Sequence, residues 1–245
     1  MFSGCESLNP DKGAIMKCDI VLAGVGGQGI LTIAYLLDNA AVNKGLCFKQ
    51  AEVHGMSQRG GAVYSHLRIS DKEILSDLVP KGQADMILAV EPLEVQRYLS
   101  YLNPKGVVVS NVEPYLNIPN YPAIEDVLGA LVKLPKSVLV NAKGIATSAK
   151  LPRAENMAMV GAALPFLPFT MDDFEPIISE MFGRKGERVV SGNMEVIKAG
   201  YAVGTLTAKL LEKGLTSEQA NGLTKDLDPL EIEQINVEEL IAKIQ

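Results

Sequence analysis

The stretch DIVLAGVGGQG, Asp19 to Gly29, decides how the rest of this chain is read. Ile20, Val21, Leu22 and Ala23 form a short aliphatic run of the kind found in a strand covered on both faces of a parallel sheet. Gly24, Gly26 and Gly29 then follow at G-x-G-x-x-G spacing, with Gly27 and Gln28 between them, and an apolar-periodic helix starts near Ile30. Strand, glycine turn and helix together aim backbone N–H groups at an incoming anion. The three spaced glycines permit a tight turn, close approach of a ligand and close helix–strand packing. Any tight strand-to-helix turn favours glycine, so the fingerprint alone does not name a ligand.

Working outward, Ile30 to Lys44 reads as a helix with Ile33, Leu37, Ala40 and Ala41 on one face, stopped at Gly45. Leu46 to Val53 reads as the second strand. In a dehydrogenase of the Rossmann type an acid near its end would hold ribose hydroxyls; Glu52 is the candidate, late for the usual interval of about 20 residues. Glu52 to Gly61, EVHGMSQRGG, is polar and glycine-bearing. A loop leaving the carboxyl end of a strand beside the glycine turn sits where open α/β sheets bind ligands. There His54, Ser57, Gln58 and Arg59 offer polar groups to an anion, and an arginine fork suits carboxylate or phosphate. A turn with capping side chains accounts for the same residues equally well.

Ala62 to Ser70 alternates as a half-exposed antiparallel strand, which places His66 on the polar phase, at a surface or edge. Asp85 to Val90 is a buried strand. The helix after Pro92 carries Leu93, Val95, Leu99 and Leu102 and is expected to stop at Pro104 and Gly106. Val107 to Ser110 is a strand ending at Asn111, whose side chain could face the crevice. Helices are expected at 124–132, from 141, at 156–163, at 172–182 and at 192–212, with a short strand at 138–140. Gly161 and Ala162 would permit close helix packing. Thr216 and Gln219 form a capping box. The expected division is a poorly ordered leader at 1–16, a body at 17–213, and an acidic then amphipathic helical tail at 214–245 that packs on the body or on a partner.

The totals narrow the function classes. Of 245 residues, 47% are hydrophobic and 21% charged, enough for one large α/β core. The net charge of −6 argues against a nucleic-acid binder. No apolar run is long enough to span a bilayer and no signal peptide is evident, so a reducing cytoplasm is the expected compartment. Cys5, Cys18 and Cys47 supply neither a CxxC pair nor four thiolates, and read as small hydrophobes or surface thiols. With only His54 and His66, no metal site is expected.

GVGGQG (24–29), AEVHGMSQRGG (51–61), the strand through Arg68 and ADMILAVEPLE (84–94), taken together, resemble the gamma subunit or gamma domain of the thiamine-diphosphate-dependent 2-oxoacid:ferredoxin oxidoreductases, and within that family the indolepyruvate branch. The resemblance covers roughly Lys17 to Lys213. It implies a Rossmann-like α/β fold: a mixed, mostly parallel sheet with helices on both faces, plus a C-terminal helical extension. It implies an enzyme subunit without a complete active site, its catalytic residues unknown, with thiamine diphosphate, magnesium and iron–sulfur clusters on partner subunits and ferredoxin reached through the complex. The isolated chain could form a homodimer; the sequence does not fix its oligomeric state. Coenzyme A is the one cofactor that could contact it. The positions matching the family pattern are Gly24, Gly26, Gly27, Gln28, Gly29, His54, Gln58, Arg59, Gly60 and Gly61. The reaction implied is oxidative decarboxylation of an aryl pyruvate or another 2-oxoacid to an acyl-coenzyme A. Three alternatives stay open: a pyruvate or 2-oxoglutarate oxidoreductase gamma subunit, a free-standing NAD-dependent dehydrogenase, and a purely structural subunit with a vestigial glycine loop.

Overall fold

The computed structural model describes residues 2–4, 16–54, 61–116, 118–229, 231–232 and 235–242; of residues 2–4, 53 and 54 it describes the backbone. Seven strands form one sheet: β1 (Phe2–Gly4), β2 (Lys17–Val25), β3 (Cys47–His54), β4 (Ala62–Ser70), β5 (Ala84–Ala89), β6 (Leu102–Asn111) and β7 (Ser137–Val140), in the spatial order β1-β3-β4-β2-β5-β6-β7. β2, β5, β6 and β7 run parallel. β4 is antiparallel to both β2 and β3, and β1 is antiparallel to β3. The architecture is the mixed, mostly parallel α/β sheet that the family resemblance implied. The leader contributes a strand at Phe2–Gly4, where poor order was expected throughout.

Among the described residues nine α-helices, with four short 3-10 turns between them, pack with the sheet: α1 (Ile30–Asn43), α2 (Pro92–Tyr98), α3 (Ile124–Leu131), α4 (Ala142–Ser148), α5 (Glu155–Ala163), α6 (Glu175–Phe182), α7 (Glu187–Glu212), α8 (Ser217–Thr224) and α9 (Val237–Ile241). Alternation within the strands splits the core between the two faces of the sheet. Ile20, Leu22, Leu67, Met86, Leu88 and Val109 pack with α1, α5 and α7. Val21, Ala23, Ile87, Ala89 and Val108 face Val95 and Tyr98 of α2 and Leu131 of α3. α5 and α7 approach so closely that a Cβ on Gly161 would lie 2.0 Å from the Ile197 carbonyl oxygen, and one on Gly200 2.1 Å from that of Ala158. The expected close packing at Gly161 is therefore present, and it rests on a matching glycine in the facing helix.

Four expectations are corrected. β3 does not lie beside β2; β4 is inserted between them, because the chain makes a hairpin after β3 instead of a crossover. Glu52 thus sits two strand spacings, about 10 Å, from the strand that carries the glycine turn, out of place for a ribose. His66 is not at a surface but 2% exposed. Its Nδ1 accepts from the Val79 amide at 3.1 Å, and Tyr64 and Tyr101 pack on its ring with centroids 5.5 and 5.1 Å away. Burial lowers its pKa. Pro104 and Gly106 do not stop a helix; α2 ends at Tyr98, and both residues lie within β6, Pro104 exposed and Gly106 buried. Cys18 is a buried free thiol, but Cys47 is disulfide-bonded.

The tail is joined to the body. Thr216 and Gln219 make the expected capping box at the start of α8, and α8 packs along β7.

Candidate functional site

The candidate site is a notch at the carboxyl ends of the parallel strands. β2 carries the chain into the turn at Gly26, and Gly27 and Gly29 adopt positive φ, +101° and +81°. That left-handed geometry carries little penalty only for glycine. It delivers the chain into α1, where the Thr32 and Ile33 amides donate to the Gly29 carbonyl oxygen at 3.0 and 3.2 Å and the Ile30 and Leu31 amides precede the first intrahelical bond. The Gly26 amide donates to the Gly61 carbonyl oxygen at 2.9 Å. This bond is the central geometric finding: it ties the glycine turn to the end of the loop between β3 and β4. That loop leaves β3 at the same end of the sheet, because β3 and β2 run in the same direction.

The sequence-nominated residues divide in three. Gly24 is buried at the end of β2, where a Cβ would meet Val90 Cγ2 at 2.4 Å, so it serves packing. The Gln28 side chain turns inward: its Oε1 accepts from the Val25 amide at 2.8 Å and its Nε2 donates to the Val90 carbonyl at 3.3 Å. Gln28 therefore clamps the ends of β2 and β5 and fixes the turn. Gly27 is exposed and lines the notch, while Gly29 packs so closely on Asn156 that a Cβ would lie 2.7 Å from its Nδ2. Ser57, Gln58, Arg59 and Gly60 lie outside the described residues, as does the side chain of His54.

The notch has a volume of about 400 Å³, within the range of small-ligand clefts. Its floor includes Gln28, Val90 and Asn111, and its far wall is Arg153, Glu155 and Asn156. Asn111 is 2% exposed; it accepts from the Ala142 amide at 3.3 Å and donates to the Val90 carbonyl at 3.4 Å. The expectation that Asn111 faces the crevice holds. Tyr115 overhangs one side. Its loop is pinned by Glu91, which is 1% exposed, caps α2 through the Glu94 amide at 2.9 Å and accepts from the Tyr121 hydroxyl. Burial, then this hydrogen bond to Glu91, pushes the Tyr121 pKa up.

Charge in the notch is mixed. Arg153 is exposed and makes no ion pair with a described residue. Glu155 faces the same space; burial raises its pKa, offset by Lys143 and reinforced by Glu113. Lys143 and Glu113 pair at 2.6 Å at the rim. Reading the sequence missed Arg153 and Glu155 because Arg153 sits in the short link between α4 and α5 and Glu155 opens α5, with no motif at either place. The signal available in the sequence was Pro152, which marks a break before α5; the positive φ of Lys150, 58°, is seen only in the structure. A second cavity of about 610 Å³ adjoins the notch, shares Arg153 and Asn156, and extends towards Phe182 and Lys185.

Among the described residues no three His, Cys, Asp or Glu side chains come together as a metal site. Cys18 is buried with its pKa pushed up, first by burial, and Cys47 is disulfide-bonded. These donors do not fit an iron–sulfur cluster or a thiamine-diphosphate magnesium site, and no step is assigned to either on these residues.

Residues 19–203 match the model of the pyruvate ferredoxin/flavodoxin oxidoreductase family. The chain belongs to this family. It is 36% identical over 195 residues to the indolepyruvate oxidoreductase subunit IorB of Archaeoglobus fulgidus, covering 76% of this chain and 94% of that one. It is 30% identical to the pyruvate/ketoisovalerate oxidoreductases common subunit gamma of Thermococcus kodakarensis, covering 69% and 90%. The family's fold is seen in pyruvate oxidoreductase subunit PORC of Thermotoga maritima, with a TM-score of 0.55 at 21% identity over 76% of this chain and 95% of that one. It is seen again in the 2-oxoglutarate:ferredoxin oxidoreductase of Magnetococcus marinus, solved with 2-oxoglutarate, coenzyme A and succinyl-CoA bound. There the TM-score is 0.62 at 20% identity, over 82% of this chain and 32% of that one, so the chain spans about a third of that polypeptide. Family members of this kind are subunits of oxidoreductase complexes, and this chain is an enzyme subunit of the 2-oxoacid:ferredoxin oxidoreductase type. No described helix is long and apolar enough to cross a membrane.

Proposed function

We propose that this chain is the gamma-type subunit of a cytoplasmic indolepyruvate-type 2-oxoacid:ferredoxin oxidoreductase, with 17–213 as its body, and that its notch receives the anionic part of substrate or coenzyme A once partner subunits close over it. The partners in this reading carry thiamine diphosphate and the iron–sulfur clusters and pass electrons to ferredoxin. The observation that supports it best is the Gly26–Gly61 hydrogen bond, which brings the glycine turn and the arginine-bearing loop to one end of the sheet. Helix first-turn amides and an unpaired arginine are the groups that favour an anion, and Arg153 adds a second cation to the one the sequence offered in Arg59. The aryl-pyruvate assignment is supported by four indolepyruvate subunits at 34–36% identity over 170–195 residues, against 28–30% over 170–175 residues for the pyruvate/ketoisovalerate ones and 34% over only 107 residues for a 2-oxoglutarate synthase subunit. A free-standing NAD-dependent enzyme is disfavoured by the two-strand offset of Glu52.

The test is a complex reconstituted with its thiamine-binding partner. Arg153→Ala and Arg59→Ala are each expected to raise the Michaelis constant for coenzyme A about tenfold, the equivalent of one lost charge-assisted contact, with assembly intact. Normal constants with weakened assembly would leave the loop an interface element and remove the ligand role. Full turnover by this chain alone would overturn the subunit reading.

A further inference from the structure

α1 packs one face on the sheet and turns the other to solvent, and that outer face is unlike the rest of the helical surface. In ILTIAYLLDNAAVN (30–43) the one ionisable side chain is Asp38, and it is buried. Leu31, Tyr35 and Val42 are 48%, 42% and 51% exposed. Spaced i, i+4 and i+11, they fall in one row of a helix with 3.6 residues per turn. Asn39 lies along the same side and turns its amide back onto the helix, donating to the Tyr35 carbonyl at 2.7 Å. α7, the longest helix, shows the ordinary alternative, with Arg188, Glu195, Lys198 and Lys209 exposed along it. Single exposed leucines are normal on a protein surface. A three-turn row with no exposed charge has the composition of an interface core, where charged residues are depleted. Just past Val42 the Lys44–Asp173 ion pair at 2.8 Å supplies a polar rim.

The row begins at the candidate site. Leu31 is four residues from Gly27, which lines the notch, and Thr32 lines the adjoining cavity. Tyr115 overhangs the same notch and is followed by Leu116, both exposed. From Leu31 to Val42 the row is about 16 Å long and, at a helix width of about 10 Å, offers roughly 160 Å². A stable interface takes about 800 Å² from each side. Two copies of this chain joined along α1 alone fall far short of that, so the occupant extends past α1, and one that also covers Tyr115 and Leu116 crosses the notch. The family supplies such an occupant, since the relatives are subunits of oxidoreductases.

We propose that the outer face of α1, through Leu31, Tyr35 and Val42, docks an apolar surface of the thiamine-diphosphate-binding partner subunit, and that seating there carries the partner over the notch. This docking face presupposes the gamma-subunit reading and adds where the contact is made.

The experiment uses the complex reconstituted from the full-length chain and its thiamine-binding partner. The Leu31→Gln, Tyr35→Gln, Val42→Gln triple variant is expected to raise the dissociation constant of the complex about a hundredfold. Its urea midpoint should stay near that of the parent, because these side chains already face solvent and glutamine suits a helix. The control is Leu75→Gln, Leu78→Gln, two exposed leucines that follow the end of β4 at Ser70, which pairs with Lys17 at the end of the sheet away from the notch. It is expected to leave assembly unchanged. A photoreactive benzoylphenylalanine in place of Tyr35 is expected to crosslink to the thiamine-binding subunit, and this is read on an otherwise parental chain whatever the stability of the triple variant. A triple variant that assembles as well as the parent would overturn the docking face and leave the gamma-subunit reading standing. So would equal weakening by the control, or a crosslink to a second copy of this chain instead of the partner. A parent chain that forms no complex with a thiamine-binding subunit would overturn both.

Discussion

The two halves of the sheet are built on opposite terms. In the parallel half, Met86–Ala89, Val107–Asn111 and Ser137–Val140 contain no ionisable side chain, and helices cover both faces. In the antiparallel half, the strands that flank the β3–β4 hairpin bury charge. Asp19 is 0% exposed opposite Arg68, which grips it through Nε at 2.9 Å and a terminal nitrogen at 3.2 Å, while Lys17 pairs with it at 2.7 Å. Asp38 of α1 is 8% exposed above this half, its Oδ1 without a hydrogen-bond partner. His66 is buried beneath residue 79. A strand delivered by a crossover helix arrives with a cover for its outer face and can be apolar throughout. A strand delivered by a hairpin brings none, so its second phase is polar, and here the segment after β4 covers that phase anyway. The polar residues must then find partners inside.

Three substitutions test this contrast. The largest effect is expected from Arg68→Met. It leaves the Asp19 carboxylate buried with Lys17 alone, at a cost of about 3 kcal/mol, the lower end for breaking a buried pair; the shift in urea midpoint measures it, and a cost below that of an exposed pair would show Asp19 to be adequately held by Lys17. Asp38→Asn is expected to stabilise, by about 2 kcal/mol near neutrality. Burial, then the nearby Glu52, pushes the Asp38 pKa up to about 7. The folded state thus holds a proton that the unfolded chain releases at its ordinary value of 3.8. The penalty grows as pH rises between those values, so the gain from asparagine should vanish at the acid end. An equal gain at both ends would locate it elsewhere. The smallest effect is expected from His66. Its folded pKa lies below 6.5, so the unfolded chain takes up the proton first and stability falls as pH drops below that value. His66→Gln should lose this part of the acid dependence, read as a flatter midpoint-versus-pH curve.

Much of the fold was legible because the parallel half obeys local rules. The run Ile20–Ala23, the glycines after it, the helix to Gly45 and the capping box at Thr216 each depend on a few neighbouring residues, and each is found where the pattern places it. The end of α2 was misread locally, but His66 and Glu52 were misread because distant segments intervene. His66 sits on a polar phase, and nothing in its own strand announces the tyrosines and the Val79 amide that enclose it. Glu52 stands at the end of the second strand, late for a ribose-binding acid, and the insertion of β4 moves it further from the glycine turn. The wall of the notch was only partly legible. Arg153, in the link before α5, and Glu155, the first residue of α5, carry no motif and acquire meaning from lining the same notch as Gly27.

By itself, then, the sequence determined the parallel α/β body, the glycine turn and the family, because apolar runs, turn glycines and caps act over a few residues. The tertiary structure alone decided the strand order, the burial of His66 and Asp38, the meeting of Gly26 with Gly61, and the seating of α8 on β7. Each of those depends on pairing or packing between segments far apart in the chain, which no local pattern encodes.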